Sequence, residues 1–274
     1  MKINPSNCLK CNLCAENCPV YKLFPIERHS PRGMLKLIEN GFNPQLCTLC
    51  GKCEKTCPPG IQIRKKLLEK LPVFSKKSRF FSSALSKPFD PHECGSETLL
   101  FLGCRISDLP EKRKKKLFNA LADLHYQIDE LNCCGWPHFL TGQDPVEKIE
   151  ELRNYFSAFK MIVFACPHCY GFWKMLRHEL DFEVRYYLEV MNFQTKENVF
   201  FSCLAQGLGF SNKFTGAAGV QCCGSGGGIL ELSSSSELKS IRKSFRRAIG
   251  STRERYFDCG YCLEAAGSGK FIWE

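Results

Sequence analysis

Cys8-Leu9-Lys10-Cys11-Asn12-Leu13-Cys14-Ala15-Glu16-Asn17-Cys18-Pro19 returns 39 residues later as Cys47-Thr48-Leu49-Cys50-Gly51-Lys52-Cys53-Glu54-Lys55-Thr56-Cys57-Pro58. Three cysteines on a tight turn reach three irons of one cube, and the fourth, beside proline, reaches across to the neighbouring cluster. The spacing predicts two cubane [4Fe–4S] clusters with crossed ligands. Cys8, Cys11, Cys14 and Cys57 hold the first; Cys47, Cys50, Cys53 and Cys18 hold the second. Zinc is the competing reading, because tetrahedral zinc often takes two Cys-x2-Cys pairs. Three cysteines in one run with a trailing Cys-Pro fit a cube better.

A looser repeat follows: a lone cysteine, then Cys-Cys-Gly, then Cys-x2-Cys. It runs Cys104, Cys133-Cys134-Gly135, Cys166-x2-Cys169, and again Cys203, Cys222-Cys223-Gly224, Cys259-x2-Cys262. Adjacent cysteines do not easily chelate one iron, but they bind neighbouring irons of a cluster. Gly135 and the run Gly224-Ser225-Gly226-Gly227-Gly228 permit positive φ and close backbone approach, and aim N–H groups at sulfide. Together the two repeats absorb eighteen of the nineteen cysteines. Cys94 belongs to neither and reads as a free thiol.

The stretches between cysteines set the fold class. Ser30-Pro31 reads as an N-cap followed by proline at the first helical position, Met34, Leu37 and Ile38 share one face, and Gly41 is a stop. Residues 73–97, rich in serine and lysine with Pro88 and Pro91, read as a linker whose Phe80-Phe81 pair is free to dock on a neighbour. From Thr98 short apolar strands alternate with helices. Leu99–Leu102 leads to Cys104, a helix is expected over 111–124 and another over 146–159, and Met161–Phe164 delivers Cys166. Val199–Phe201 before Cys203 and a helix near 237–249 before Cys259 repeat the pattern. The expectation is an α+β chain: a helical two-cluster ferredoxin-type domain over 1–72, the linker over 73–97, and two α/β cysteine-rich domains in tandem over 98–192 and 193–274. Ligands then gather at the carboxyl ends of the strands.

The formal charge of +10 points to an anionic partner. A thiolate-bound [4Fe–4S] centre carries about two negative charges, so four centres offset most of it. Nucleic acid is not expected, because no element sets base-reading residues between the basic ones. The first cysteine set begins at residue 8, leaving no room for an apolar signal core, and no apolar run reaches membrane-spanning length. Clustered cysteines without a secretory signal place the chain in the reducing cytoplasm. The glycine run lacks a G-x-G-x-x-G opening and its acidic partner, so neither flavin nor NAD is expected here, and a partner must handle two-electron donors.

Residues 98–274 resemble the CCG domains of the heterodisulfide reductase catalytic subunit. The whole layout, with Ser30-Pro31-Arg32-Gly33 and Cys222-Cys223-Gly224-Ser225, resembles the iron–sulfur subunits of glycolate oxidase, lactate dehydrogenase and anaerobic glycerol-3-phosphate dehydrogenase. The resemblance implies five-cysteine sets that each hold a noncubane [4Fe–4S] cluster: Cys104, Cys133, Cys134, Cys166 and Cys169, then Cys203, Cys222, Cys223, Cys259 and Cys262. It also implies electron relay from a flavoprotein subunit, with a membrane or quinone-reactive subunit as a further partner. Disulfide cleavage at the CCG clusters is the alternative. His168, inside Cys166-Pro167-His168-Cys169, is the candidate proton donor, although a solvated loop histidine is the plainer reading. Lys112 to Lys116 read as a solvated helix face. Arg242, Lys243, Arg246 and Arg247 read either as an offset to cluster charge or as a docking surface.

Overall fold

The computed structural model describes residues 8–40, 47–64, 66, 95–130, 133–136, 146–176, 180–192, 198–210, 223–225, 235–250 and 254–274. Gly41, Phe80, Phe81, Cys94, Cys222 and Gly226 to Gly228 lie outside them. The chain packs as two compact units, each drawn from separated stretches. The first comprises residues 1–74, 197–255 and 261–269; the second comprises 75–196, 256–260 and 270–274. Compact packing thus groups the residues differently from a linear partition at 72, 97 and 192.

In the first unit both cysteine loops are built alike. Lys10 (φ 55°) and Asn12 (φ 68°) are left-handed, and so are Leu49 (φ 55°) and Gly51 (φ 74°), 39 residues later. Three of these four carry a side chain, so backbone strain is held at the turns that wrap the cysteines. A one-turn helix follows each, Leu13–Glu16 and Lys52–Lys55. Gly51 lets the Arg64 guanidinium lie over the second loop; a Cβ there would stand 2.6 Å from its central carbon. Arg64 is fixed by Glu54: its Nε and Nη2 both reach Glu54 Oε2 at 2.7–2.8 Å, and its backbone N–H donates to Oε1 at 2.6 Å.

Helix Pro31–Glu39 starts as its sequence predicts: Ser30 Oγ accepts from Gly33 N–H at 2.9 Å, with Pro31 in the first turn. Gly33 is required by contact, since a Cβ there would fall 1.8 Å from the Glu27 carbonyl oxygen. Met34, Leu35 and Ile38 are buried, whereas Leu37 is only half-buried.

The second unit holds a parallel sheet of β1 (Thr98–Phe101), β2 (Gln127–Asp129), β3 (Met161–Phe164) and β4 (Glu183–Tyr186), in the order β2-β1-β3-β4. Leu99 pairs with Ile162 and Phe101 with Phe164 in register. The connection out of β1 runs to β2 on one side and that out of β3 runs to β4 on the other, so the crevice between β1 and β3 is a topological switch point. Phe156 joins the helix Val146–Phe156 to the sheet, with Trp173 and Phe101 at 4.8 and 5.3 Å between ring centroids. Such pairs add about 1 kcal/mol each beyond area burial.

Two helices are shorter than expected. Glu111–Ala120 gives way to tight turns through Leu124, and Val146–Phe156 stops before Lys160 and Met161 bond back to Glu97. The lysine face also needs correcting. Lys114 is buried, pairing with Glu111 at 2.5 Å and Glu130 at 2.7 Å. Spacing explains it: 114, 117 and 121 follow one helical stripe, which Leu117 and Leu121 carry into the core. Among the described residues, no helix is long and apolar enough to cross a membrane.

Candidate metal centres

The first unit gathers two groups of thiols. Cys14 lies within electrostatic reach of Cys8 and Cys57; Cys11 is the exposed member of the same loop. Burial raises the Cys14 thiol, and the Arg32 backbone N–H donates to it. Ser30-Pro31-Arg32-Gly33 therefore acts as one device: a cap, a first-turn proline, a donor to sulfur and a close approach. The second group is Cys18, Cys47, Cys50 and Cys53, all within mutual electrostatic reach. Backbone amides donate to two of its sulfurs, Tyr21 to Cys18 at 3.5 Å and Leu49 to Cys47 at 3.3 Å. Burial pushes Cys47 and Cys53 well up and Cys50 to about 12.

A further thiol joins this second group. Cys203, at the start of helix Cys203–Leu208, lies within electrostatic reach of Cys18 and Cys50. It packs in the apolar core of Cys18, Val20, Met34 and Ile241. The helix comes close because residue 207 is glycine: a Cβ there would sit 1.6 Å from the Cys50 carbonyl oxygen. A hydrogen bond from Lys52 Nζ to Gln206 ties the same helix down. Nothing in the cysteine spacing announces this approach; a glycine inside a helix was the available signal.

In the second unit, the first Cys-Cys-Gly set lines the carboxyl ends of β1, β2 and β3. Cys104 follows β1, Cys133 and Cys134 follow β2, and Cys166 caps the helix Pro167–Met175 after β3. Cys169 lies in the first turn of that helix. Gly103 (φ 69°) leaves room for its sulfur, since a Cβ would stand 2.7 Å away. Gly135 is left-handed at φ 84°, and Trp173 Nε1 donates to the Cys134 carbonyl at 3.2 Å.

Most of these groups lie within hydrogen-bond reach of one another: Cys134 of Cys133 and Cys169, Cys166 of Cys169 and His168, and His168 of Cys259 as well. Those bonds draw Cys134 down to about 6 and Cys166 well below 9.0, against burial. Burial opposes charge on His168, yet its bonds to Cys166 and Cys259 raise it well above 6.5. Burial pushes the Cys104 thiol up to about 12, helped by the neighbouring Cys166 and Cys133. His168 is thus half-buried and held between thiols.

Of the second Cys-Cys-Gly set, Cys203, Cys223 and Cys262 belong to the first unit and Cys259 to the second. Gly224 repeats the geometry of Gly135 at φ 74°, and a Cβ there would strike Ile241 at 2.6 Å. Sequence reasoning missed Asp258, which is fully buried beside Cys259 and accepts from Tyr186 Oη at 3.2 Å.

The donor sets fit iron–sulfur clusters: grouped free thiols, amides aimed at sulfur, and glycines where a Cβ would fill the cradle. Among the described residues, no group of three or more His, Cys, Asp or Glu side chains is drawn close enough to hold a single metal ion. Residues 4–61 match the 4Fe-4S dicluster domain, and residues 98–174 match the cysteine-rich CCG domain. This is an iron–sulfur protein.

Its relatives include a subunit of the fumarate reductase (CoM/CoB) of Methanothermobacter marburgensis, 24% identical over 59% of this chain and 41% of the relative. The glycolate oxidase iron-sulfur subunit of Escherichia coli is 32% identical over 22% of this chain and 17% of the relative. An uncharacterized iron-sulfur protein of Methanocaldococcus jannaschii is 24% identical over 67% of this chain and 47% of its own length. The chain spans less than half the length of each. No solved structure matches it.

Proposed function

We propose that this chain is the iron–sulfur electron-transfer subunit of a multi-subunit oxidoreductase, relaying electrons between a flavoprotein partner and an acceptor, a quinone or a disulfide. The position of Cys203 carries the reading. A thiol from the second Cys-Cys-Gly set shares a buried core with Cys18 and Cys47 and lies within electrostatic reach of Cys50. Ferredoxin-type and CCG-type ligands therefore meet in one packed region. When bound, the clusters supply reversible one-electron transfer. The chain's own residues hold them by the crossed sets Cys8, Cys11, Cys14, Cys57 and Cys47, Cys50, Cys53, Cys18, and by the two five-cysteine sets in tandem CCG domains. Val20, Met34 and Ile241 keep water from the second set, and amide donors to sulfur tune its potential. Relatives named as subunits of a fumarate reductase and a glycolate oxidase support the expectation of partners. The setting is cytoplasmic, with any membrane attachment made through a partner.

One observation favours a second reading, reductive cleavage of a disulfide at the first CCG set. All five of its cysteines are gathered, and His168 stands between Cys166 and Cys259, placed to hand a proton to a thiolate product. A thiol-dependent paramagnetic signal in the oxidised protein is its mark.

Iron, acid-labile sulfide and zinc per chain, measured on protein purified without oxygen, test the proposal. About sixteen irons, four per cluster, are expected. About eight would confine redox chemistry to the ferredoxin-type cysteines, and zinc in place of the missing iron would make the CCG sets structural. Cys57→Ser and Cys18→Ser test the crossing: each is expected to abolish the cluster of the other loop.

A further inference from the structure

The helix Ser235–Ala248 has two chemically distinct faces. Leu238 and Ile241 pack into the core that contains Cys18, Cys47 and Cys203, and Phe245 and Ile249 are buried beyond them. Elsewhere on the helix Lys239, Lys243 and Arg247 recur at i, i+4 and i+8, flanked by Arg242 and Arg246. These five cations line an open groove of about 750 Å³ that Gly250 completes. The helix carries one carboxylate, Glu237, against them.

Two of the five are engaged within the unit. Arg246 Nε donates to the Ala265 carbonyl at 2.8 Å, and Arg242 stands 3.9 Å from Glu264. Among the described residues, Lys239, Lys243 and Arg247 have no ion-pair partner, and all three are exposed. Like charges four residues apart repel and weaken the isolated helix, so an anionic occupant would relieve a strain that the fold leaves in place.

We infer that this groove docks the acidic face of a one-electron carrier protein, a deepening that rests on the relay proposed above. A helix is about 10 Å across. A protein seated on the basic face is therefore about one helix diameter from the core that holds Cys18, Cys47 and Cys203. Membrane and nucleic acid fit less well. The apolar face that would enter lipid is spent in the core, and among the described residues the groove offers no aromatic ring on which a base could stack. The step is a single-electron exchange: the reduced carrier loses one electron, this chain gains one, and no atom or proton moves.

The test uses the full chain loaded with its clusters without oxygen, and a plant-type [2Fe–2S] ferredoxin of strongly acidic surface as probe. The triple variant Lys239→Glu, Lys243→Glu, Arg247→Glu leaves Arg242 and Arg246 with their internal partners. Two readouts are compared: affinity for the oxidised ferredoxin by calorimetry, and the rate of cluster reduction by the reduced ferredoxin after rapid mixing. A small neutral dye as reductant is the control, because it needs no docking site. Wild type is expected to bind more weakly and react more slowly as salt rises. The variant is expected to lose at least about tenfold in both readouts at low ionic strength. Its iron content and dye-driven rate are expected to stay unchanged. Equal ferredoxin affinity and rate in both proteins would overturn the docking face. So would a variant that instead loses binding to anionic vesicles or duplex DNA. Failure of the dye itself to reduce the clusters would sink the relay, a result distinct from failure of docking.

Discussion

Gly207→Ala is the sharpest perturbation of the proposed relay. On propensity alone alanine is the better helix former, by about 1 kcal/mol, and the change should stabilise helix Cys203–Leu208. Contact geometry reverses that sign. The new Cβ would lie 1.6 Å from the Cys50 carbonyl oxygen and 2.8 Å from its carbon, where real Cβ contacts stay beyond 3.0 Å. Both obstructing atoms are backbone on a loop already committed to positive φ at Leu49 and Gly51, so no rotamer change can yield. The helix must retreat by more than an ångström, stretching the Lys52–Gln206 hydrogen bond and drawing Cys203 away from Cys50. Overpacking of this kind costs about 1–3 kcal/mol, leaving a net loss of up to about 2 kcal/mol after the propensity gain. Urea unfolding of the metal-free protein reads it. Gly95→Ala, where no atom lies within 4 Å of the new Cβ, serves as control. In the loaded protein, the spectrum of the second ferredoxin-type cluster should shift with Gly207→Ala alone. A Gly207→Ala protein as stable as the wild type, with an unshifted spectrum, would refute the close approach of Cys203 to the cubane loop.

Three further outcomes follow from local chemistry. Ser30→Ala removes the side-chain cap on Gly33 N–H and should cost about 1 kcal/mol in urea unfolding. Tyr186→Phe strips a hydrogen bond from the fully buried Asp258 and should cost about 1–3 kcal/mol; a loss below about 0.5 kcal/mol would mean that Asp258 does not depend on the phenol. The third concerns pH in the metal-free protein. Burial, helped by the neighbouring Cys203, lifts the Cys50 thiol from 9.0 to about 12, and Cys47 and Cys53 rise with it. A raised folded value favours the protonated thiol. Its contribution is therefore complete below about pH 9 and is lost as pH climbs toward about 12, at about 1.4 kcal/mol per unit for each group. The urea midpoint should fall between about pH 8 and about pH 10.5, and a flat midpoint would show that these thiols are not held protonated.

Much of the local structure was legible because it obeys local rules. Ser30 and Pro31 start their helix as capping chemistry requires, and the apolar run Met161–Phe164 forms the strand whose exit carries Cys166. The cysteine spacing pointed to iron–sulfur chemistry, and Gly135 and Gly224 adopt the positive φ that adjacent cysteines demand. Lys114 was misread although its register was available: a charged side chain on an apolar stripe is buried when carboxylates wait for it, and Glu130 arrives from the residue after β2, beyond the reach of a helical wheel.

The sequence by itself marked which residues are candidate metal ligands, because side-chain type and spacing along a tight turn are covalent facts. It also pointed to β1, to β3 and to the helix that Ser30 caps, because apolar runs and capping residues are local signals. Only the tertiary structure decided which loop meets which. Packing residues 197–255 with 1–74 sets Cys203 beside Cys18 and Cys50, and packing 256–260 with 75–196 sets Cys259 beside His168. Such contacts join positions far apart in the chain, and what permits them is the absence of a single carbon at Gly207 or a buried carboxylate at Asp258. Close packing has no period for a linear pattern to carry.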